Sequence, residues 1–319
     1  MSIKNILVAG SAAIAVLSSA SLVTAETRVT YKSAKSTSSY YQMAVQLAEA
    51  VKRSTNGEMI LTIEESQGSV QNVKESAVSP GNYVFTTPPV LVKLAQSGIK
   101  MFEPKNPKFD TIRGLFPIPS LTMHFVVRAD SGINTFADLD GKSYLIGKGS
   151  FGAREAAKYF KLFGVEGKVK LIDVELNAAV PALKNKQIDG FATAGSYPAP
   201  NVMEAAAGTE IRVLSLSDEQ IKQSKRTKLT IPAGTYPGVD TDVTTTTLPV
   251  MAYTTTNMSD DAAYTLTKAY WSEKTRMSKD NKWWAGVSAK MLANMYGKLH
   301  PGALRYYAEA NVMIPAALK

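Results

Sequence analysis

The sequence contains no cysteine and only two histidines, His124 and His300. Without cysteine the fold has no disulfide bond, so packing alone must hold it together. Two histidines far apart in the chain, with no thiol, do not supply the ligand sets that zinc or iron usually requires. We therefore predict that the protein holds no metal and no cofactor.

Clusters that would signal catalysis or nucleic-acid binding are also missing. The net charge is +9, but lysine and arginine are spread along the chain without runs or interleaved aromatic residues. This distribution argues against nucleic acid and leaves a mild attraction for small anions. A nucleophilic triad would need one of the two histidines, and no G-x-S-x-G motif is present. His124 lies in an apolar run, where a histidine is more often packed than catalytic, so we predict that the protein is not an enzyme.

One uncharged apolar run occupies residues 6–23, after Lys4, and it ends in the small-x-small pattern Val23-Thr24-Ala25. This arrangement predicts a signal peptide over residues 1–25, cleaved after Ala25, and export to the periplasm. The alternative is an N-terminal membrane anchor, because the run reaches about the 18-residue lower limit for a span. Its many alanines and serines, followed by a cleavage pattern, favour the signal peptide.

Strand and helix patterns alternate in the first part of the exported chain. Residues 28–31 and 59–64 have strand patterns, and residues 40–53 between them carry apolar residues at helical spacing. A further strand is predicted over residues 83–86. Alternation of this kind predicts an α/β fold with a parallel sheet, in which ligands bind at the carboxyl ends of the strands.

A second α/β series follows, flanked by two short β-rich runs at residues 124–128 and 250–255. Because a second series interrupts the first, we predict an α/β protein of two lobes that are joined by two linking strands and can move about a hinge. Lobe I is predicted over residues 26–122 and 250–319, and lobe II over residues 123–249. Further elements are predicted as strands at 144–146, 169–172 and 190–193 and as helices at 153–163, 178–185, 260–274, 283–296 and 302–310.

The glycine-rich stretch GKGSFG at residues 147–152 lies between a predicted strand and a predicted helix. Backbone N–H groups in such a turn, at the positive end of a helix dipole, can bind a carboxylate or phosphate. The stretch also matches the dinucleotide pattern G-x-G-x-x-G, and Asp173 follows Gly152 at the spacing of the ribose-binding acid. An exported oxidoreductase that binds a dinucleotide is therefore the alternative. We favour a binder of small anions, since an exported protein meets little NAD.

Several segments together resemble the TAXI family of TRAP transporter solute-binding receptors, which are periplasmic binding proteins. The likeness covers nearly the whole exported chain. It rests on the order and spacing of these segments: Tyr40-Tyr41, GSVQN at 68–72, VRADSGI at 127–133, DLDGK at 138–142, Gly149-Ser150, Gly164, PAGTYPG at 232–238 and HPGALRYY at 300–307.

The resemblance implies a two-lobed periplasmic-binding-protein-like fold (type II), with the ligand cleft between lobes joined by two linking strands. It also implies a receptor that clamps a small anionic organic solute, an amino acid, dicarboxylate or keto acid, and delivers it to a membrane permease without ATP. An ABC-type or sensor-linked binding protein remains an alternative within the same class, and we expect a monomer. The sequence departs from the family pattern in three places, all where ligand is contacted. Residues 36–39 are Ser-Thr-Ser-Ser instead of glycines, Phe151 replaces the second glycine of Gly-Ser-Gly, and residues 86–89 are Thr-Thr-Pro-Pro.

The candidate ligand-binding residues lie in loops at the predicted strand ends and helix starts. Several have a structural alternative: one of the two tyrosines 40 and 41 packs, the asparagine caps a helix, the arginine points to solvent, or the tyrosine of the TYPG turn fixes that turn. The candidates are Tyr40, Tyr41, Ser69, Asn72, Thr86, Thr87, Gly149, Ser150, Gly152, Arg154, Tyr197 and Tyr236.

Overall fold

A computed structural model describes residues 26–319, and the predicted signal peptide lies outside the described residues. Ten strands form one curled sheet in the order β2-β1-β3-β10-β4-β7-β5-β6, with β8 paired to β4 and β9 paired to β10. The predicted α/β class with a parallel component is confirmed. Within residues 26–319 the helices are all too short or too polar to cross a membrane.

The first lobe is built on three parallel strands, β1 (Thr27–Lys32), β2 (Met59–Glu64) and β3 (Tyr83–Thr87). The helices α1 (Ser39–Ser54), α2 (Ser69–Ser76) and α3 (Pro89–Ser97) follow these strands. Ser38 caps α1 by accepting a hydrogen bond from the N–H of Tyr40 at 3.2 Å. Because α1 starts directly after a loop at the end of β1, its first turn lies beside the carboxyl ends of the parallel strands, where ligands bind in such sheets.

Two long antiparallel strands connect the lobes. They are β4 (Ile112–Arg128) and β10 (Val243–Thr255), paired from Ile112↔Thr255 to Thr122↔Thr247. Near one end β10 pairs with β3, and at the other end it pairs with β9 (Thr227–Ile231). The predicted linking run 124–128 is the C-terminal end of β4, and the predicted run 250–255 is the C-terminal end of β10.

The second lobe surrounds the parallel strands β5 (Ser143–Leu145), β6 (Lys170–Ile172) and β7 (Gly190–Gly195). Its helices are α4 (Phe151–Leu162), α5 (Ala179–Lys184), α6 (Pro200–Gly208) and α7 (Asp218–Ser224), and β8 (Ile211–Val213) lies on the far side of β4. The glycine-rich stretch connects β5 to α4, as predicted. This connection aims the first turn of α4 at the strand ends of the first lobe.

The C-terminal region contains α8 (Asp260–Asp280) and α9 (Pro301–Glu309). The predicted helix over residues 283–296 is wrong. Two 3₁₀ turns, Lys282–Gly286 and Ala289–Asn294, replace it. The indole N–H groups explain this: Trp283 donates to the carbonyl of Pro198 at 2.9 Å, and Trp284 donates to Oε1 of Gln46 at 2.7 Å. The two neighbouring tryptophans are thus anchored to different parts of the fold, the loop after β7 and helix α1. The backbone accommodates both hydrogen bonds by forming two short turns instead of one regular helix.

Candidate functional site

A cavity of about 60 Å³ lies between the lobes, where the carboxyl ends of β1, β2 and β3 face the first turn of α4. Its wall is rich in hydroxyl groups, and among residues 26–319 no Asp or Glu contributes to it. The residues that line it are Ser33, Ala34, Lys35, Ser38, Tyr40, Gln67, Gly68, Ser69, Thr86, Leu121, Lys148, Ser150, Phe151, Gly152, Leu176, Ala192, Thr193 and Ala194.

The first turn of α4 presents free backbone donors to this cavity. Gly147 and Gly149 have φ of 79° and 77°, a left-handed backbone that favours glycine. Ser150 caps the helix, since its Oγ accepts the N–H of Ala153 at 2.9 Å. The N–H groups of Phe151 and Gly152 have no acceptor among residues 26–319. They stand at the positive end of the helix dipole, which favours an anion.

A second helix start faces the first across the cavity. Helix α2 begins after Gly68, which has a φ of 101° and supplies no side-chain cap. In the described chain, the N–H groups of Ser69 and Val70 lack an acceptor as well. Two positive helix ends from opposite lobes thus point toward the same small space.

Ser33 is the buried polar group of the cavity that needs a partner. Only 1% of the residue is exposed, and no group in the described part of the chain hydrogen-bonds its Oγ. Asn72 fixes its position, because Nδ2 of Asn72 donates to the carbonyls of Ser33 and Thr86, at 2.8 and 2.9 Å. An unpaired hydroxyl in such a place costs free energy unless a ligand or water completes it.

The hydroxyl of Thr86 is already paired. It lies 2.9 Å from the hydroxyl of Tyr31, and burial raises the pKa of Tyr31 to about 12. The phenol therefore stays protonated at neutral pH. The pair holds the ends of β1 and β3 together beneath the cavity.

The cationic side chains at the cavity are each paired with an acid. Lys35 of the first lobe contacts Glu175 of the second at 3.0 Å, and Gln67 donates to the same carboxylate at 2.6 Å. The hydrogen bond from Lys35 is the main cause of the lowered pKa of Glu175, and the hydrogen bond from Gln67 is the second. Lys148 contacts Asp173 at 2.7 Å, and this hydrogen bond raises the pKa of Lys148. We call the first group, Lys35, Gln67 and Glu175, the interlobe clasp.

Five of the predicted site residues line the cavity: Tyr40, Ser69, Thr86, Ser150 and Gly152. The tight turn continues through Gly149, where an added Cβ would lie 4.0 Å from Cβ of Gln67 in the other lobe. The hydroxyl of Ser150 is already used as the cap of α4. Gly152 is needed for close packing, because a Cβ there would lie 3.0 Å from Cβ of Ala194.

The other six predicted residues do not line this cavity. Tyr41 is half-buried and Arg154 is exposed on α4. Thr87 and Asn72 are fully buried, with the Thr87 hydroxyl 3.3 Å from the carbonyl of Pro88. Tyr197 lines a different cavity. Tyr236 is buried in the second lobe and donates its hydroxyl to Nε2 of His124 at 2.7 Å.

Sequence reasoning missed Lys35, Gln67, Lys148 and Ser33. Ser33, Lys35 and Gln67 lie within three residues of the end of β1 or β2, and Lys148 lies in the glycine stretch, so position after the predicted strands was the available signal. The pairing of Lys35 and Gln67 with Glu175 depends on how the lobes meet, and no spacing within the sequence encodes that contact.

A larger cavity, of about 620 Å³, lies on the other side of β4. Pro119, Ser120 and Thr122 line it, whereas Leu121 lines the small cavity. The opposite placement of Leu121 and its two neighbours agrees with the alternation of side chains along a strand. Tyr197, Trp283 and Lys282 also contribute to its wall. No helix of eight or more residues starts among its lining residues.

Residues 32–310 match the NMT1-like family, and the chain therefore belongs to that family. The periplasmic binding protein BugD is similar in structure, with 11% identity, a TM-score of 0.56, and coverage of 91% of this chain and 99% of that one. This likeness shows the two-lobed fold of periplasmic binding proteins.

Two further solved structures have lower TM-scores. The alkanesulfonate-binding protein SsuA from Xanthomonas axonopodis pv. citri, bound to MOPS, matches at 15% identity and a TM-score of 0.46, covering 89% of this chain and 83% of its own. A TRAP periplasmic solute-binding protein from Desulfovibrio salexigens, in complex with diglycerolphosphate, matches at 12% identity and 0.46, covering 92% and 93%.

Proposed function

We propose that the protein is an extracytoplasmic solute-binding receptor that captures a small carboxylate between its lobes and delivers it to a TRAP-type membrane permease. The observation that carries the proposal is the small cavity with two opposed helix starts and the unpartnered hydroxyl of Ser33. The TRAP-type partner rests on the resemblance to the TAXI receptors. In this role the protein performs no chemistry on its ligand and acts as a monomer.

The charge of the proposed ligand follows from the cavity wall. Free N–H groups at Phe151, Gly152 and Ser69 supply hydrogen-bond donors with partial positive charge. In the part of the chain that the structure describes, no Asp or Glu lines the cavity to repel an anion. Because Lys35 and Lys148 are neutralised by their own acids, backbone dipoles and hydroxyls carry most of the recognition.

We further propose that lobe I comprises residues 26–122 and 250–319 and that lobe II comprises residues 123–249. The pairing of Thr122 with Thr247 supports a crossing at this level of β4 and β10. Residues 1–25 are proposed as a cleaved signal peptide, which places the receptor in the periplasm.

The dinucleotide alternative is less well supported. Asp173 does follow β6 beside the glycine stretch, but its carboxylate is paired with Lys148 at 2.7 Å. A cavity of about 60 Å³ is far smaller than a dinucleotide. Small anions therefore fit the site better than NAD.

Ligand discovery tests this function directly. The protein is purified from the periplasm without unfolding, and any co-purifying small molecule is identified by mass spectrometry. In parallel, we expect small carboxylic acids to raise the melting temperature and NAD or NADP to leave it unchanged, since a ligand stabilises only the state it binds. A clear upward shift with either dinucleotide, and none with the acids, would contradict the proposal.

A further inference from the structure

We propose that the site selects acids of two or three carbons that carry a hydroxyl or keto oxygen beside the carboxylate, and that Phe151 sets this size limit. The inference rests on the proposed function and names the ligand class of the same site. It follows from the cavity volume, from the unpartnered hydroxyl of Ser33 and from the position of the Phe151 ring.

The cavity volume limits the ligand. One water needs roughly 10–15 Å³ of such space, so a cavity of about 60 Å³ holds about four to six non-hydrogen atoms. Glycolate, lactate and pyruvate lie within or next to this range. Glutamate and 2-oxoglutarate, with about ten non-hydrogen atoms, exceed it.

Contacts between the lobes keep the cavity at this size. The interlobe clasp closes one side, with its two contacts to Glu175 at 2.6 and 3.0 Å. On another side, the N–H of Ser196 in the second lobe donates to Oγ of Ser39 in the first at 2.9 Å. A ligand that needs more room must keep these groups apart and lose their hydrogen bonds.

Ser33 indicates what the ligand carries besides its carboxylate. Its buried Oγ can both donate and accept a hydrogen bond. The helix starts of α2 and α4 supply donors only, which suits the carboxylate oxygens. The Oγ itself has almost no exposed surface, so a rotation of the Ser33 side chain toward the cavity would bring it to a neighbouring hydroxyl or keto oxygen on the ligand and give it a partner.

Phe151 forms the part of the wall that would have to move for a longer ligand. It is the first residue of α4, it lines the cavity beside Gly152, and only 6% of it is exposed. Phe151 also belongs to the main hydrophobic cluster, so packing against its neighbours restricts the ring. Its removal enlarges the cavity without deleting any of the backbone donors.

The test compares short and long acids by isothermal titration calorimetry. Glycolate, L-lactate and pyruvate form the short set, and L-glutamate and 2-oxoglutarate form the long set. For the wild-type protein we expect at least one short acid to bind ten-fold or more tightly than either long acid. In Phe151→Gly this ratio should fall at least ten-fold, whereas Phe151→Leu should keep it.

Ala157→Gly is the matched control, because it places a glycine on α4 at a position that does not line the cavity. Its helix-propensity cost is at least as large, because it replaces the best helix former in the middle of the helix, and it should keep the wild-type preference. Circular dichroism confirms that each variant is folded.

Each outcome has one meaning. If the wild-type protein binds a long acid as tightly as the short ones, the size limit is wrong while the anion-binding function stands. If Phe151→Gly keeps the wild-type ratio, Phe151 does not set the limit. If no acid of either set binds the folded wild-type protein, the size limit fails together with the proposed function.

Discussion

The hydrogen bonds of the buried His124 in the second lobe determine which of its two ring nitrogens carries the proton. Nδ1 of His124 lies 3.1 Å from the carbonyl of Thr122, which can only accept, so Nδ1 carries the proton. Nε2 then accepts the hydroxyl of Tyr236, which in turn accepts the N–H of Ala199 at 2.9 Å. Both nitrogens are satisfied by the neutral ring, so the group serves packing and holds the loop after β7.

This arrangement makes stability depend on pH. Burial lowers the pKa of His124 from 6.5 to about 4, so the unfolded chain binds the proton more readily than the folded protein. The stability from the neutral ring is fully present above pH 6.5 and is lost as the pH falls toward 4. From pH 7.5 to pH 5 this amounts to about 2 kcal/mol of unfolding free energy.

Urea unfolding at the two pH values measures the effect, and His124→Gln should remove it. His300→Asn serves as the control, because burial also lowers the pKa of His300 but on a different element. The control should keep the part of the pH dependence that belongs to His124. An unchanged pH dependence in His124→Gln would show that the neutral ring is not the cause.

Single residues of the site were only partly predictable. The carboxyl ends of the predicted strands pointed to Tyr40, Ser69 and Thr86, which line the cavity, and their role in binding stays a prediction. Asn72 is in the same region, but its amide holds two strand ends from beneath, and only the packed structure shows which way the side chain faces.

At the scale of elements, the glycine-rich turn before α4 carries the clearest binding prediction. Gly149 has a φ of 77°, which a proline ring cannot adopt. Gly149→Pro should therefore displace the donors of the first turn and weaken binding of the co-purified ligand by at least the ~1.5 kcal/mol of a charge-assisted hydrogen bond. Calorimetry measures the loss, and circular dichroism checks that the variant is folded.

Arg154→Ala separates the helix start from the nearest unpaired cation on α4. Because Arg154 is exposed and outside the cavity wall, we expect a change in affinity of less than about two-fold. A large loss would make this side chain a ligand contact.

Full-strength binding by folded Gly149→Pro would mean that the turn is structural and that the site has been misplaced.

The elements with strong periodicity were predictable, and the exceptions have physical causes. The first half of β4 contains Gly114, Pro117 and Pro119, residues that normally argue against a strand. The threonine run at the start of β10, residues 244–247, lacks the alternation of apolar and polar residues that would predict a strand. In the sheet its β-branched side chains suit a strand, and buried Thr245 donates its hydroxyl to the carbonyl of Met123 at 2.7 Å.

At the scale of the whole molecule, the interlobe clasp should bias the lobes toward closure. This ion pair forms only when the lobes are close, so breaking it shifts the population modestly toward the open state. Glu175→Ala should therefore increase the radius of gyration of the ligand-free protein in small-angle scattering. The low pKa of Glu175 keeps the clasp formed at neutral pH, and it is lost as the pH falls through that pKa.

Asp218→Ala is the control for this experiment. It breaks the exposed pair of Asp218 with Lys228, at 2.6 Å, entirely within the second lobe. Its radius of gyration should equal that of the wild-type protein. If the clasp variant and the control scatter alike, the clasp does not affect closure.

The central claim is that a small anion binds between the lobes, in the cavity formed by α2, α4 and Ser33. A crystal structure of the protein with its co-purified ligand tests this most directly. We predict a carboxylate within hydrogen-bond distance of the N–H groups of Phe151 and Gly152, with a second ligand oxygen on Oγ of Ser33. A ligand bound instead in the larger cavity beyond β4, beside Tyr197 and Trp283, would contradict the account.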